Sequence, residues 1–197
     1  VYYFKEELLN INKNKRLISL IIIGSIPLII FGYILYTTGL IYSLRNIETI
    51  AWTTLIFAIV LYISDKSRFD KKISTNLNIQ SILFIGIMQI LSLIPGVSRA
   101  GITITAARIL KFNRVDSSKI SFLLSIPALA GASVLSLKDI FNQPTEFNYL
   151  VIIAIISSFI FSFLTVKYFL IFINKFSMNA FVIYRILIAL VLFSLIY

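Results

Sequence analysis

The feature that most constrains this chain is a series of apolar runs, each long enough to cross a lipid bilayer. Residues 17–36 are twenty in a row without a charge. As a helix rising 1.5 Å per residue they would extend about 30 Å, the thickness of the hydrocarbon core. Similar runs cover about 47–64, 119–137, 149–173 and 179–197. The pattern predicts five transmembrane spans.

Composition favours the same class of protein. The chain of 197 residues is 59% hydrophobic and 13% charged, whereas a soluble domain is about half apolar and about a quarter charged. A soluble fold of this length could not bury the surplus. We therefore expect residues 1–197 to form one all-α, polytopic transmembrane helix bundle.

The absence of two residue types excludes whole classes of chemistry. Without cysteine the chain forms no disulfide and has no thiol nucleophile, and without histidine it lacks the commonest general base. The net charge of +10 would suggest nucleic acid on a soluble chain. Here the basic residues lie between the apolar runs, so we expect contacts with membrane lipids and no nucleic-acid partner.

The positions of Lys and Arg predict an orientation. Twelve lie in four segments, 1–16, 65–78, 111–119 and 174–178, and only two in the opposing segments 37–48 and 138–148. By the positive-inside rule the first four segments are cytoplasmic. That arrangement requires residues 79–111 to enter and leave the membrane on one side.

Residues 79–111 have the pattern of a re-entrant hairpin. The apolar run 79–94 is short for a span and ends at Pro95-Gly96, and a short helix is expected over 102–111. Non-helical backbone at membrane depth is tolerated only where protein or a water-filled cavity surrounds it. The hairpin tip is thus the place to look for a binding site.

The segment 95–105 (PGVSRAGITIT) offers the parts of an anion site. A helix N-terminus carries unpaired N–H groups and partial positive charge. Gly96 and Gly101 permit close approach of a phosphate, and Arg99 adds a planar cationic fork. Hydroxyl donors are supplied by Ser98, Thr103 and Thr105.

Each of these residues also has a structural explanation. Ser98 is a suitable helix cap, Arg99 is able to snorkel or to pair with an acid on another helix, and the threonines can bond to helix carbonyls. Taken together within eleven residues, they favour the anion site. For two other cations in the apolar runs, Lys167 and Arg185, we expect snorkelling. Arg108 is equally suited to lipid headgroups or to a second phosphate.

Two stretches carry a resemblance to a known family. GIMQ at 86–89 and IPGVSRAGITIT at 94–105 are similar to the second signature of the undecaprenyl-diphosphate phosphatase, or bacitracin-resistance, family. The similarity continues through 112–114 and 121–128, and the span spacing resembles that family's C-terminal two-thirds. Ala100 departs from the pattern, because the family usually has a second serine there.

The resemblance implies a fold and an activity. The fold is two inverted repeats, each with a re-entrant hairpin, of which this chain would hold the second. The activity is hydrolysis of undecaprenyl diphosphate to the monophosphate, which recycles the lipid carrier for peptidoglycan synthesis, in the bacterial inner membrane with the site open to the extracytoplasmic side. A polyprenyl-phosphate transporter or flippase and a catalytically incomplete fragment remain alternatives, and a homodimer is left open.

The resemblance also implies roles for single residues. Arg99 would bind the diphosphate, Ser98 would contact the scissile phosphate as nucleophile or donor, and Thr103 would complete the phosphate cradle. The implied substrate-binding residues are Gly86, Gln89, Gly96 and Gly101.

The family's first signature, an acidic pair and a histidine, has no match here. Glu6 and Glu7 are adjacent rather than spaced along one helix face. We therefore predict no metal ligand within the chain. A divalent cation, Mg²⁺ or Ca²⁺, is expected to take its oxygen ligands from an N-terminal repeat that we expect to precede Val1.

Overall fold

A computed structural model describes residues 2–5, 11–40, 44–66, 71–141 and 149–196. Within those ranges the chain is helical, and the predicted all-α bundle is confirmed. In chain order the helices are α1 (Ile11–Thr38), α2 (Ile47–Lys66), α3 (Ile73–Asn76), α4 (Ile79–Ile90), α5 (Arg99–Ile109), α6 (Arg114–Phe141), α7 (Tyr149–Lys175) and α8 (Asn179–Ile196). Short 3₁₀ turns cover Tyr2–Phe4 and Leu91–Leu93.

Five of the described helices, α1, α2, α6, α7 and α8, are long and apolar enough to cross a membrane. All of them except α8 extend beyond the apolar runs, because basic and polar residues continue these helices past the hydrocarbon-length segments. α6 begins at Arg114 rather than near residue 119, with Asn113 accepting a hydrogen bond from the N–H of Asp116 at 2.9 Å. α1 is interrupted at Asn14, where φ is −116° and ψ is 18°.

Between α2 and α6 the chain forms a helical hairpin of α4, a turn and α5. Its two ends lie side by side, because Lys71 and Phe112 form a parallel β-bridge. The N–H of Lys71 donates to the carbonyl of Lys111, and the N–H of Asn113 donates to the carbonyl of Lys71, each at 3.1 Å. That this hairpin re-enters a membrane remains a prediction.

The predicted start of the second hairpin helix at residue 102 is wrong. Helix α5 begins at Arg99, because the Ser98 side chain accepts a hydrogen bond from the N–H of Gly101 and so caps the first turn. Gly101 is therefore inside the helix. The seven consecutive residues 102–108 are all buried, so protein surrounds this part of α5 on every side.

Glycine allows the hairpin to pack closely on the first long helix. A Cβ added at Gly86 of α4 would overlap the backbone carbonyl of Gly24 in α1. α5 packs between α2, α4 and α6, and α8 packs along α2. Helix α7 is peripheral: its most apolar stretch has no buried residue, and its side chains meet the bundle through ring contacts such as Phe169 with Phe122 at 5.5 Å.

Candidate functional site

The turn of the hairpin is held by hydroxyl groups of α2. Thr53 Oγ1 donates to the carbonyl of Pro95 at 2.6 Å, and Thr54 Oγ1 donates to the carbonyl of Gly96 at 3.3 Å. Gly96 has a φ of +90°, and a Cβ there would overlap the Thr53 hydroxyl. The turn thus needs glycine both for its backbone conformation and for its approach to α2.

A buried arginine from α8 holds the same turn. Arg185 Nη2 donates to the carbonyl of Gly96 at 2.8 Å, and Nη1 donates to the carbonyl of Val97 at 3.0 Å. A longer contact of 3.5 Å joins Nη2 to the carbonyl of Thr54. The side chain is 8% exposed, so the predicted snorkelling is wrong: carbonyl acceptors inside the bundle attract the guanidinium more than the interface does.

Ser98 and Arg99 lie together at the beginning of α5. Ser98 is exposed and has a φ of +67°, which is unusual for a residue with a side chain. Its hydroxyl accepts the N–H of Gly101 at 3.2 Å, so the capping explanation holds. Capping uses one lone pair and leaves the hydroxyl proton available to a ligand.

Arg99 is the cation that the turn presents. It is partly buried, and its Nη1 atom is out of contact with solvent and has no hydrogen-bond partner among the described residues. A buried donor without a partner costs about 1–3 kcal/mol, and more when charged. The guanidinium therefore lies at a helix N-terminus with hydrogen-bonding capacity to spare.

Thr103 lies one turn further along α5 and contacts α6. Its Oγ1 atom is 2.7 Å from Ser121 Oγ of α6 and 2.9 Å from the carbonyl of Arg99. The residue is fully buried. Thr103 consequently ties the first turn of α5 to α6, and it does so through the carbonyl of the arginine itself.

The two sequence-predicted residues on α4 lie in its packed face. Gly86 allows contact with Gly24, as described above. Gln89, one turn nearer the hairpin tip, is fully buried, and neither of its amide heteroatoms has a hydrogen-bond partner in the described part of the chain. The structure thus brings Gly96, Ser98, Arg99 and Gly101 together at the turn, whereas Gly86 and Gln89 lie in the buried face of α4.

The turn contacts α2 near the middle of that helix. Thr54 is eleven residues from Asp65 along α2, which corresponds to about 16 Å of a helix that spans about 30 Å in total. Arg99, three residues after Gly96, therefore lies beside the middle part of α2.

The C-terminal end of α2 holds an ion-pair cluster. Asp65, 3% exposed, accepts two hydrogen bonds from Arg114 at 2.8 and 2.9 Å and one from the N–H of Met178 at 3.1 Å. Arg108 lies 3.3 Å from the same carboxylate and donates to the carbonyl of Phe112. Both alternatives for Arg108, headgroups and a second phosphate, are wrong, because a buried acid binds it.

Carboxylates that could hold a cation are few among the described residues. Asp65 is engaged as above, and Asp116 accepts from the N–H of Ile73 at 3.1 Å and from Asn113 Nδ2 at 3.0 Å. Across 2–5, 11–40, 44–66, 71–141 and 149–196, no three acidic, histidine or cysteine side chains cluster as metal ligands would. Glu6 and Glu7 lie outside the described residues.

The sequence analysis predicted no role at the site for four residues: Thr53, Thr54, Ser121 and Arg185. A charge in the middle of an apolar run was the available signal for Arg185, since such residues usually face the interior of a bundle. The hydroxyl residues gave no signal, because one Thr or Ser among apolar residues is common in spanning helices.

Comparison with known proteins assigns the chain to a family. The family described as bacitracin resistance protein BacA matches residues 1–191. An undecaprenyl-diphosphatase of Pelagibacter ubique is 64% identical over 198 residues, which cover 100% of this chain and 77% of the relative. Undecaprenyl-diphosphatases of Elusimicrobium minutum (38% identical; 96% of this chain, 75% of the relative) and Saccharophagus degradans (34%; 100% and 78%) are also similar.

These matches confirm the resemblance that rested on residues 86–89 and 94–105, and they extend it over almost all of the sequence. The turn of the hairpin and Arg99 lie within the matched range. The chain belongs to the bacitracin resistance protein BacA family.

Proposed function

We propose that this protein hydrolyses undecaprenyl diphosphate to undecaprenyl phosphate and inorganic phosphate, which returns the lipid carrier to peptidoglycan synthesis. In this reaction water adds to the terminal phosphorus, and the bond from that phosphorus to the bridging oxygen breaks. The names of the relatives support the substrate and reaction, and the apolar bundle supports a substrate that remains in the membrane.

The observation that carries the proposal is the unpaired guanidinium of Arg99 at the N-terminus of α5, beside the exposed hydroxyl of Ser98. The diphosphate oxygens accept hydrogen bonds from the partly exposed Arg99 side chain. A planar guanidinium binds two phosphate oxygens at once, and the first turn of the helix adds partial positive charge. Ser98 then contacts the scissile phosphate, as nucleophile or as hydrogen-bond donor.

Thr103 acts in this proposal by fixing the first turn of α5. Its contacts to Ser121 and to the carbonyl of Arg99 keep the backbone of the arginine in place. Gly96 and Gly101 leave room for the Thr53 hydroxyl and the Arg185 guanidinium beside the turn. Gln89 of α4 has an amide oxygen and an amide nitrogen without hydrogen-bond partners among the described residues.

Phosphoryl transfer also needs its developing negative charge offset, and a divalent cation with arginine is the usual means. The described residues do not fit such an ion, because they hold no cluster of acidic ligands. We propose that Mg²⁺ or Ca²⁺ assists the reaction with ligands from outside the described residues. The inner membrane, and opening of the site to its extracytoplasmic side, are part of the same proposal.

The test is phosphate release from undecaprenyl diphosphate by the purified full-length protein. Arg99→Ala is expected to reduce kcat/KM by on the order of 10²–10³, as removal of one preorganised donor to a developing anion does. Lys167→Ala is the matched control, because that cation is exposed on α7. Undiminished release by Arg99→Ala would reject this site. Lipid movement without phosphate release would favour the transporter alternative.

A further inference from the structure

Arg185 is a buried cation that the proposed reaction does not use directly. Its two terminal nitrogens bind the carbonyls of Gly96 and Val97, the two residues before Ser98. We propose that Arg185 is a positioning residue, which locks the turn so that Ser98 and Arg99 present their side chains to the phosphate. This inference rests on the proposed function and adds to it a residue from the last helix.

The energetics indicate that Arg185 is retained for more than packing. A buried charge without a counter-ion is costly, and Arg185 forms no ion pair with any described carboxylate. Its compensation comes from backbone carbonyl dipoles, and its Nε atom has no hydrogen-bond partner among the described residues. An apolar residue at this position of α8 would avoid that cost, whereas no apolar residue could hold two carbonyls.

The geometry requires the guanidinium fork. Adjacent carbonyls along a turn accept two N–H groups from one rigid plane, whereas a lysine ammonium is a point donor on a flexible stem. The turn is then fastened from two helices, by Thr53 and Thr54 of α2 and by Arg185 of α8. Removal of Arg185 frees the side of the turn that leads into Ser98.

Gly101 is explained by the same arrangement. A Cβ at this position would lie 2.8 Å from Arg185 Nη1. Since that atom is the end of a flexible side chain, a methyl group would displace the guanidinium rather than prevent folding. Gly101→Ala is therefore expected to reproduce part of the Arg185 defect.

The experiment compares Arg185→Gln and Arg185→Lys with the unmodified full-length protein, and uses Lys167→Gln as control. We expect kcat for undecaprenyl diphosphate to fall about 100-fold in Arg185→Gln, as misplacement of catalytic groups by about 1 Å does. KM should change little, because Arg185 does not contact the substrate. Arg185→Lys should recover only part of the rate, and Lys167→Gln should match the unmodified protein.

A second readout separates positioning from general destabilisation. Amide hydrogen exchange over residues 96–101 should accelerate in Arg185→Gln, while exchange in α6 stays unchanged. Gly101→Ala should have little further effect on kcat when Arg185 is already glutamine, because both changes remove the same contact.

Unmodified kcat in a folded Arg185→Gln protein would overturn the positioning role, as would a rate loss with unchanged exchange over 96–101. If Arg185→Gln does not fold, Gly101→Ala decides, and normal kcat with normal exchange there would overturn it as well. Absence of phosphate release from the unmodified protein would instead overturn the proposed function.

Discussion

Ser98 combines a strained backbone with an exposed hydroxyl. A residue with a side chain at a φ of +67° carries strain of about 1–3 kcal/mol, which the surrounding contacts must offset. Thr53, Thr54 and Arg185 supply those contacts through the carbonyls just before it. The strain is thus maintained by the same groups that fix the turn.

We expect Ser98→Gly and Ser98→Ala to separate strain from chemistry. Alanine keeps the strained backbone and loses the cap, at a cost of about 0.5–2 kcal/mol, whereas glycine relieves the strain and caps almost as well as serine. Ser98→Gly should therefore be the more stable by about 1 kcal/mol in detergent unfolding. Both variants should lose most phosphate release, because neither has the hydroxyl. A glycine variant less stable than the alanine variant would contradict the strain.

Among the helices, the contact between α1 and α4 fixes the position of the hairpin. Gly24 and Gly86 bring the two backbones together, as small residues do at helix crossings in membranes. The face of α4 that carries Gly86 also carries Gln89. Any displacement of α4 at Gly86 therefore also moves Gln89.

Gly86→Ala is predicted to destabilise the protein by about 1–3 kcal/mol, because the added Cβ overlaps backbone and the helices must move apart. Gly32→Ala in α1 is the matched control, since its Cβ would lie 3.7 Å from Leu93, an ordinary contact. Thermal unfolding in the same detergent measures both. Equal stability of the two variants would show that the crossing tolerates a methyl group.

The cluster around Asp65 connects several elements at the C-terminal end of α2. It joins α2, α5, α6 and the segment before α8 through one carboxylate. Asp65→Ala should cost about 3–5 kcal/mol, because Arg108 is then left buried without its counter-ion. Arg114→Met should cost only about 1 kcal/mol, because that side chain is 35% exposed. Chemical denaturation measures the free energy of unfolding of both variants. Similar losses would argue against a buried ion pair between Asp65 and Arg108.

For the whole molecule, the sequence predicted most of what periodicity and local motifs determine. Apolar runs marked the five long helices, and Pro95-Gly96 marked the break in the hairpin. The start of α5 was misplaced by three residues, because capping by Ser98 depends on backbone dihedrals that the sequence does not reveal. The inward direction of Arg185 also depended on tertiary packing. Apart from Arg185, the middle of α8 is apolar, so its other residues did not indicate which side would meet α2.

The charge distribution over the whole molecule leads to a last prediction, about the cation. Asp65 and Asp116, the carboxylates with described hydrogen-bond partners, are committed to arginine, amide and backbone donors. Chelation should abolish phosphate release by the full-length protein, because the proposed reaction uses a divalent cation. Since Asp116 is already engaged, Asp116→Asn should leave the half-saturating concentration of Mg²⁺ or Ca²⁺ unchanged. Asp65→Asn should lower stability without altering that concentration. Titration of activity against each ion measures the half-saturating concentration. A tenfold increase of that concentration in either variant, about 1.4 kcal/mol of binding, would place a cation ligand inside this helical bundle.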